Sequence, residues 1–250
     1  MKMLCALGTA LAVAGASLGG PLTPPAGAVS PSYKTLDQVE PRIPIESLPF
    51  TITQPGSYYL TGDLATAGNG IIVNASDVTI DLMGFTITGS DPNQFSGIEQ
   101  VLAFNNKNLT VRNGTVRNFD DGVVAFEGGS FGFGITFKDL RVIDVGSRGI
   151  AAGGADCLIV DCYARLSAAS SASGSEGIGC VGGIVVNSRA SGFSNGVIVN
   201  RGVMANCFAA GCDIGLLCID GVVNGCVSTD SSVDNLFLAG DAISVDTLAP

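Results

Sequence analysis

The sequence predicts an all-β chain wound into a parallel β-helix, a β-solenoid in which each turn stacks on the one before. Three observations carry this expectation. A Gly followed by an aliphatic residue recurs at Gly70-Ile71, Gly97-Ile98, Gly122-Val123, Gly149-Ile150, Gly177-Ile178, Gly196-Val197 and Gly215-Leu216, and Asn235-Leu236 extends the series without the Gly. A second marker runs in phase with it, a short aliphatic strand that ends in Asn or Asp: Asn113, Asp139, Asp161, Asn187, Asn206 and Asn224. Finally, β-branched residues fall in short runs divided by Gly and Asn, and no stretch after residue 50 has helical periodicity. The 19-residue spacing from Gly177 to Gly196 to Gly215 also suits a leucine-rich repeat. Leu is too sparse for that ladder. Rungs of three short strands, stacked at about 4.8 Å, account for the pattern.

In chain order, residues 1–28 read as a signal peptide. Met1-Lys2 is a positive start, Leu4 to Leu18 is an apolar run too short for a membrane span, and Ala26-Gly27-Ala28 is a small-residue cleavage pattern. No later stretch reads as a transmembrane helix, so the expectation is a secreted or extracytoplasmic protein with no membrane span. Residues 29–48, with Pro31, Pro41 and Pro44, read as a linker, and residues 49–250 as the β-helix domain. Phe50 to Thr53, Gln54 to Ser57 and Tyr58 to Leu60 read as strand, turn and strand. They are assigned to an N-terminal β cap or first partial rung, because an open solenoid end exposes unpaired backbone groups. About seven full rungs follow. In the first copy Gly84 aligns with Gly114, which leaves Met83 in the Asn/Asp slot. Inserts at 90–95, 100–107, 127–134 and 167–175 lengthen the early rungs, and loops on a rigid scaffold are the usual carriers of function.

Equal positions on stacked rungs form columns. The Asn/Asp column is read as structural: each side chain bonds the next and satisfies inward-facing backbone groups of the turn. Positions one and three beyond it are small or apolar (Cys162 and Ala164, Ser188 and Ala190, Cys207 and Ala209) and are expected to point into the core. The position between them points out, and reads Thr115, Arg141, Tyr163, Arg189, Phe208, Cys226. Without residues 1–28 seven Cys remain, all after residue 150. Their spacings are not those of a zinc ribbon and the chain has no His, so they are read as buried apolar fillers, mostly reduced, and no metal is expected. Cys162 and Cys207 fall two rungs apart, beyond the reach of a disulfide.

Composition excludes several classes of function. The absence of His removes His-based triads, His metal sites and a His general base. Twenty-two acidic against 12 basic residues give a net charge of −10, which argues against a nucleic-acid partner.

The segment IPIESLPFTITQPGSYYLTGDL, followed by GIIVNASDVTIDLMGFTITG and NLTVRNGTVRNF, resembles the opening of exported bacterial proteins with a right-handed parallel β-helix repeat domain. The resemblance covers most of residues 43–250. The wider superfamily includes pectate lyases, polygalacturonases, alginate epimerases and phage tailspikes. It therefore implies a right-handed parallel β-helix and raises contact with polysaccharide as an expectation, without fixing an activity.

Two sets of side chains are candidates. The residue before each repeat Gly forms a column whose middle is Asp121, Arg148 and Glu176. Polygalacturonase-type enzymes need a His that this chain lacks, whereas pectate-lyase-type enzymes combine acidic Ca²⁺ ligands with an Arg or Lys base. Asp121 and Glu176 as Ca²⁺ ligands flanking Arg148 as base would fit the second type. A salt ladder across rungs, keeping Arg148 protonated, is the reading we favour. The other set is the outward run Arg141, Tyr163, Arg189 and Phe208, alternating guanidinium and ring on an otherwise acidic rod, as an acidic polysaccharide would match. The expectation is a module that contacts polysaccharide without established catalysis and needs no cofactor. A Ca²⁺-dependent polysaccharide lyase and a structural or assembly module are the alternatives.

Overall fold

A computed structural model describes residues 42–101, 107–127, 130–167 and 174–247. All of them fall in one compact unit, Glu40–Pro250. The described chain is all β, a parallel β-solenoid of about eight turns. The segment expected to be a signal peptide and most of the expected linker lie outside the described residues, as do parts of the inserts 100–107, 127–134 and 167–175.

The regular turns give one strand to each of three parallel sheets, and in the longer ones a single strand runs on from one sheet into the next. The turn of Asn195–Asn200, Val203–Ala205 and Phe208–Ala210 is followed by Ile214–Ile219, Val222–Asn224 and Val227–Thr229. Each strand pairs in register with its predecessor: Val197 with Leu216, Met204 with Val223, Ala209 with Ser228. The aliphatic residue of the repeat marker is the core. Ile71, Ile98, Val123, Ile150, Ile178, Val197 and Leu216 stack in one inward column of the first sheet and are all at most 1% exposed. Burying such a side chain stabilises the fold by about 1.5–3 kcal/mol.

The Gly beside it has a steric reason. A Cβ at Gly70, Gly97, Gly122, Gly149, Gly177 or Gly196 would strike the carbonyl oxygen of the equivalent Gly on the next rung. At Gly215 it would lie 2.9 Å from the Asn235 carbonyl oxygen. Stacking at strand spacing thus leaves no room for a side chain at this position.

Three corners turn the chain, and each is built on residues in the left-handed region. Asn113, Asp139, Asp161, Asn187 and Asn206 have φ between 51° and 60° and form the corner between the second and third sheets. Asn118, Asp144 and Asp230 serve the corner after the third sheet, and Asp77, Asn108, Asp156, Arg201 and Asp220 the corner before the second. Asn and Asp tolerate this conformation best among residues with a Cβ. The Asn/Asp column is therefore a conformational device, and its side chains are exposed. They bond along the outside of the stack, Asn187 Nδ2 donating to Asp161 Oδ1 at 3.3 Å and Asn206 Nδ2 to Asn187 Oδ1 at 3.4 Å. The inward-facing bonding expected of them is not what they do; the backbone is satisfied rung to rung, as Asn187 N–H donates to Ala205 O at 3.1 Å.

Several sequence expectations shift. Phe50–Ile52 and Gly56–Leu60 pair in register with Ile71–Val73 and Val78–Asp81, so the expected cap is a full part of the first turn. Ile43–Ile45, inside the expected linker, is a strand paired with Tyr58–Leu60, so the solenoid begins before residue 49. Arg42 fixes this entry: it lies 4.8 Å over the Tyr59 ring and 3.8 Å from Asp81, which also accepts from Arg112 Nε at 3.1 Å. Register pairs Asp81 with Arg112 and Thr86 with Thr115, so the first copy holds two extra residues and Gly84 does not align simply with Gly114. In the last copy Gly225, at φ 59°, takes the left-handed slot instead of Asn224. The chain advances by one residue, so Val227 pairs with Phe208, and Cys226 is buried instead of pointing out. On the last described turn Val233 and Ile243 are 68% and 56% exposed.

Candidate functional site

The outward column of the third sheet stands as expected. Arg141 pairs with Tyr163, Tyr163 with Arg189, and Arg189 with Phe208, on consecutive rungs. Their neighbours Val142, Ala164, Ala190 and Ala209 are buried, which fixes the facing by strand alternation. Both arginines are exposed and both rings half-buried. The Arg141 guanidinium carbon lies 5.6 Å from the Tyr163 ring centroid, and that of Arg189 5.7 Å from the Phe208 centroid. The rings thus hold the guanidiniums through cation–π contact, worth about 0.5–1 kcal/mol at an exposed site.

Between the two arginines lies an open depression of about 480 Å³, lined by Arg141, Asp161, Cys162, Tyr163, Asn187 and Arg189. Among the described residues neither arginine forms an ion pair. The depression therefore offers two exposed guanidiniums, a phenol and, at its rim, the carboxylate of Asp161. The first two suit an anion, and the carboxylate can accept hydrogen bonds from hydroxyls.

Two further basic residues, Arg117 and Arg165, belong to this sheet. They stand two residues further along the same strands, exposed on the same face. The signal was available in strand alternation: Thr115 and Arg117, like Tyr163 and Arg165, share a face.

On the first sheet Asp121 pairs with Arg148 and Arg148 with Glu176, so the second candidate set does come together on consecutive rungs. Arg148 Nε donates to Asp121 Oδ1 at 2.9 Å and Nη2 to Oδ2 at 2.6 Å. The hydrogen bonds to Asp121 raise the Arg148 pKa above its already high value. A guanidinium so held cannot take a proton from a substrate carbon. Burial raises the Glu176 carboxyl, with Arg148 opposing the rise and Asp121 adding to it. Burial also raises Asp120, with the Asp121 charge reinforcing it. Among the described residues no three Asp, Glu or Cys side chains gather to hold a metal ion. Asp121 and Glu176 are separated by the arginine and do not converge on one point.

The seven cysteines after residue 150 are unpaired and buried. Burial pushes the Cys162 and Cys180 thiols up to about 12 and Cys157 up to about 11. The shift of register at Gly225 brings Cys226 into the inward column of Cys162 and Cys207, on the rung beside Cys207, whose N–H donates to Cys226 Sγ at 3.3 Å. The hydrogen bond between the two thiols raises Cys207 and lowers Cys226 to about 7, so Cys226 ionises first.

No protein-family model matches the chain, and no curated protein matches it.

Proposed function

We propose that the protein is an exported β-solenoid module that contacts acidic polysaccharide through the open face of its third sheet. One observation carries this reading: two exposed arginines that form no ion pair among the described residues, Arg141 and Arg189, flank a depression that Tyr163 also lines, in a chain of net charge −10. Although the chain carries 22 acidic residues and Asp161 lines the same depression, neither arginine forms an ion pair among the described residues. The planar guanidinium forks pair with carboxylates at two points, and neighbouring rings restrict where the forks point. Export rests on the residue pattern of positions 1–28.

A polysaccharide array, read with and without Ca²⁺ for both binding and unsaturated products, tests this function. The expected result is retention of acidic polymers, weakening as salt rises, with no unsaturated product. The double variant Arg141→Ala, Arg189→Ala should lose this retention while unfolding at the wild-type midpoint. Unchanged retention would remove the site. Ca²⁺-dependent release of unsaturated uronates would replace the reading with a lyase.

A further inference from the structure

We infer that the third sheet reads a linear polymer with a carboxylate on every sugar, successive carboxylates lying on alternating edges of the chain. This rests on the proposed contact with acidic polysaccharide and specifies its substrate. The outward face of the sheet has two rows. In one, Thr115, Arg141, Tyr163 and Arg189 follow one another on consecutive rungs; in the other, Arg117, Ile143, Arg165 and Ser191. An arginine therefore occurs on each of four successive rungs, in the order 117, 141, 165, 189, and changes row at every step. The rungs are about 4.8 Å apart, and the rows, two residues apart along a strand, about 6.6 Å.

All four arginines are exposed, and among the described residues none of them forms an ion pair. The third-sheet segments that carry these rows, Thr115 to Arg117, Arg141 to Ile143, Tyr163 to Arg165 and Arg189 to Ser191, contain no Asp or Glu. These segments thus hold four of the chain's 12 basic residues and none of its 22 acidic ones, and Asp161 stands at the corner beside them. Charge complementarity selects a polyanion.

The alternation selects which kind. One pyranose of a 1,4-linked chain extends roughly one rung step. In a ribbon of two-fold symmetry each sugar is flipped relative to the last, so a carboxylate on every sugar appears on alternate edges, one per step. That is the arginine pattern. In a copolymer with a carboxylate on every second sugar, all carboxylates lie on one edge and meet one row only.

Calorimetric titration with three probes tests this: a 1,4-linked homopolyuronate, an alternating uronate–hexosamine copolymer, and oligothymidylate. The wild type should bind the homopolyuronate most tightly. Arg117→Ala with Arg165→Ala, and separately Arg141→Ala with Arg189→Ala, should each weaken that binding about tenfold. Neither pair should matter comparably for the copolymer, since the remaining row can still serve it. Gln in place of Ala, with unfolding midpoints for every variant, separates lost contacts from lost fold. If the Arg117/Arg165 variant binds homopolyuronate like the wild type while the other variant weakens, the alternating pattern is refuted and the polysaccharide contact stands. If the wild type binds no polyuronate, both fall. Copolymer or oligothymidylate bound as tightly as homopolyuronate overturns the assignment of one carboxylate per sugar.

Discussion

Arg148 sets Nε and Nη2 against the two carboxylate oxygens of Asp121, 2.9 and 2.6 Å away across neighbouring rungs of the first sheet. Asp121 is 9% exposed, so the pair is largely shielded from water. Asp121→Ala should lower stability by about 2–3 kcal/mol, because it leaves a partly buried guanidinium without its principal counter-ion. Arg148→Met combined with Asp121→Leu should cost clearly less than the two single changes summed. Urea unfolding of all four proteins gives the coupling energy, and additive single costs would show that the pair is not a unit.

Glu176 supplies a prediction in pH. Its folded pKa is raised, chiefly by burial, so the folded state holds this proton more tightly than the unfolded chain does. Ionised Glu176 therefore costs stability above its folded pKa, and that cost disappears as pH falls below the unfolded value. Glu176→Gln should raise the unfolding midpoint at about pH 7 and leave it unchanged at about pH 3. A gain of equal size at both would assign the effect to packing.

Arg201 occupies a corner where most other rungs place Asp, Asn or Gly, at φ 55°. The left-handed conformation costs a residue with an ordinary side chain about 1–2 kcal/mol. Since Arg201 is exposed, Arg201→Asn should raise stability by about 1 kcal/mol with no loss of packing. Differential scanning calorimetry checks it, and a lowered midpoint would mean that the Arg side chain stabilises the corner in some other way.

The thiols should be inert in the folded protein. A bulky disulfide reagent should modify none of the seven cysteines after residue 150 until denaturant is added, because all are buried. Fewer than seven reactive thiols in the denatured state would mean that a disulfide had formed.

The solenoid was legible because stacking forces equal positions to share one environment. The Gly that clears a carbonyl, the aliphatic residue beside it and the Asn or Asp at a corner each recur for a separate physical reason. Facing was legible from strand alternation, which is why Arg141, Tyr163, Arg189 and Phe208 emerged together. What stayed hidden depended on single-residue register. Asn224 matches the column in type, yet Gly225 takes the left-handed turn and carries Cys226 inward. Ile43–Ile45 was masked by Pro44, which breaks strand expectations but is tolerated where only one neighbouring strand must be paired. The guanidinium–ring contacts depend on rotamers, which a residue pattern does not encode.

The column of glycines also bears on how long the stack can grow. Each Gly is required because another rung lies against it, and the last described turn carries Asn235 there. Asn235 Oδ1 accepts from Ser228 Oγ at 3.3 Å and from the Ser231 N–H at 3.3 Å, which ties the side chain back to the preceding turn and the corner that leads from it. A further rung laid on Asp234–Ala239 in the register of its predecessors, from this chain or from another copy, would press a carbonyl oxygen onto the Asn235 Cβ. Asn235 thus acts on the stack as a chain terminator acts on a growing polymer: it accepts the rung beneath and refuses the one above.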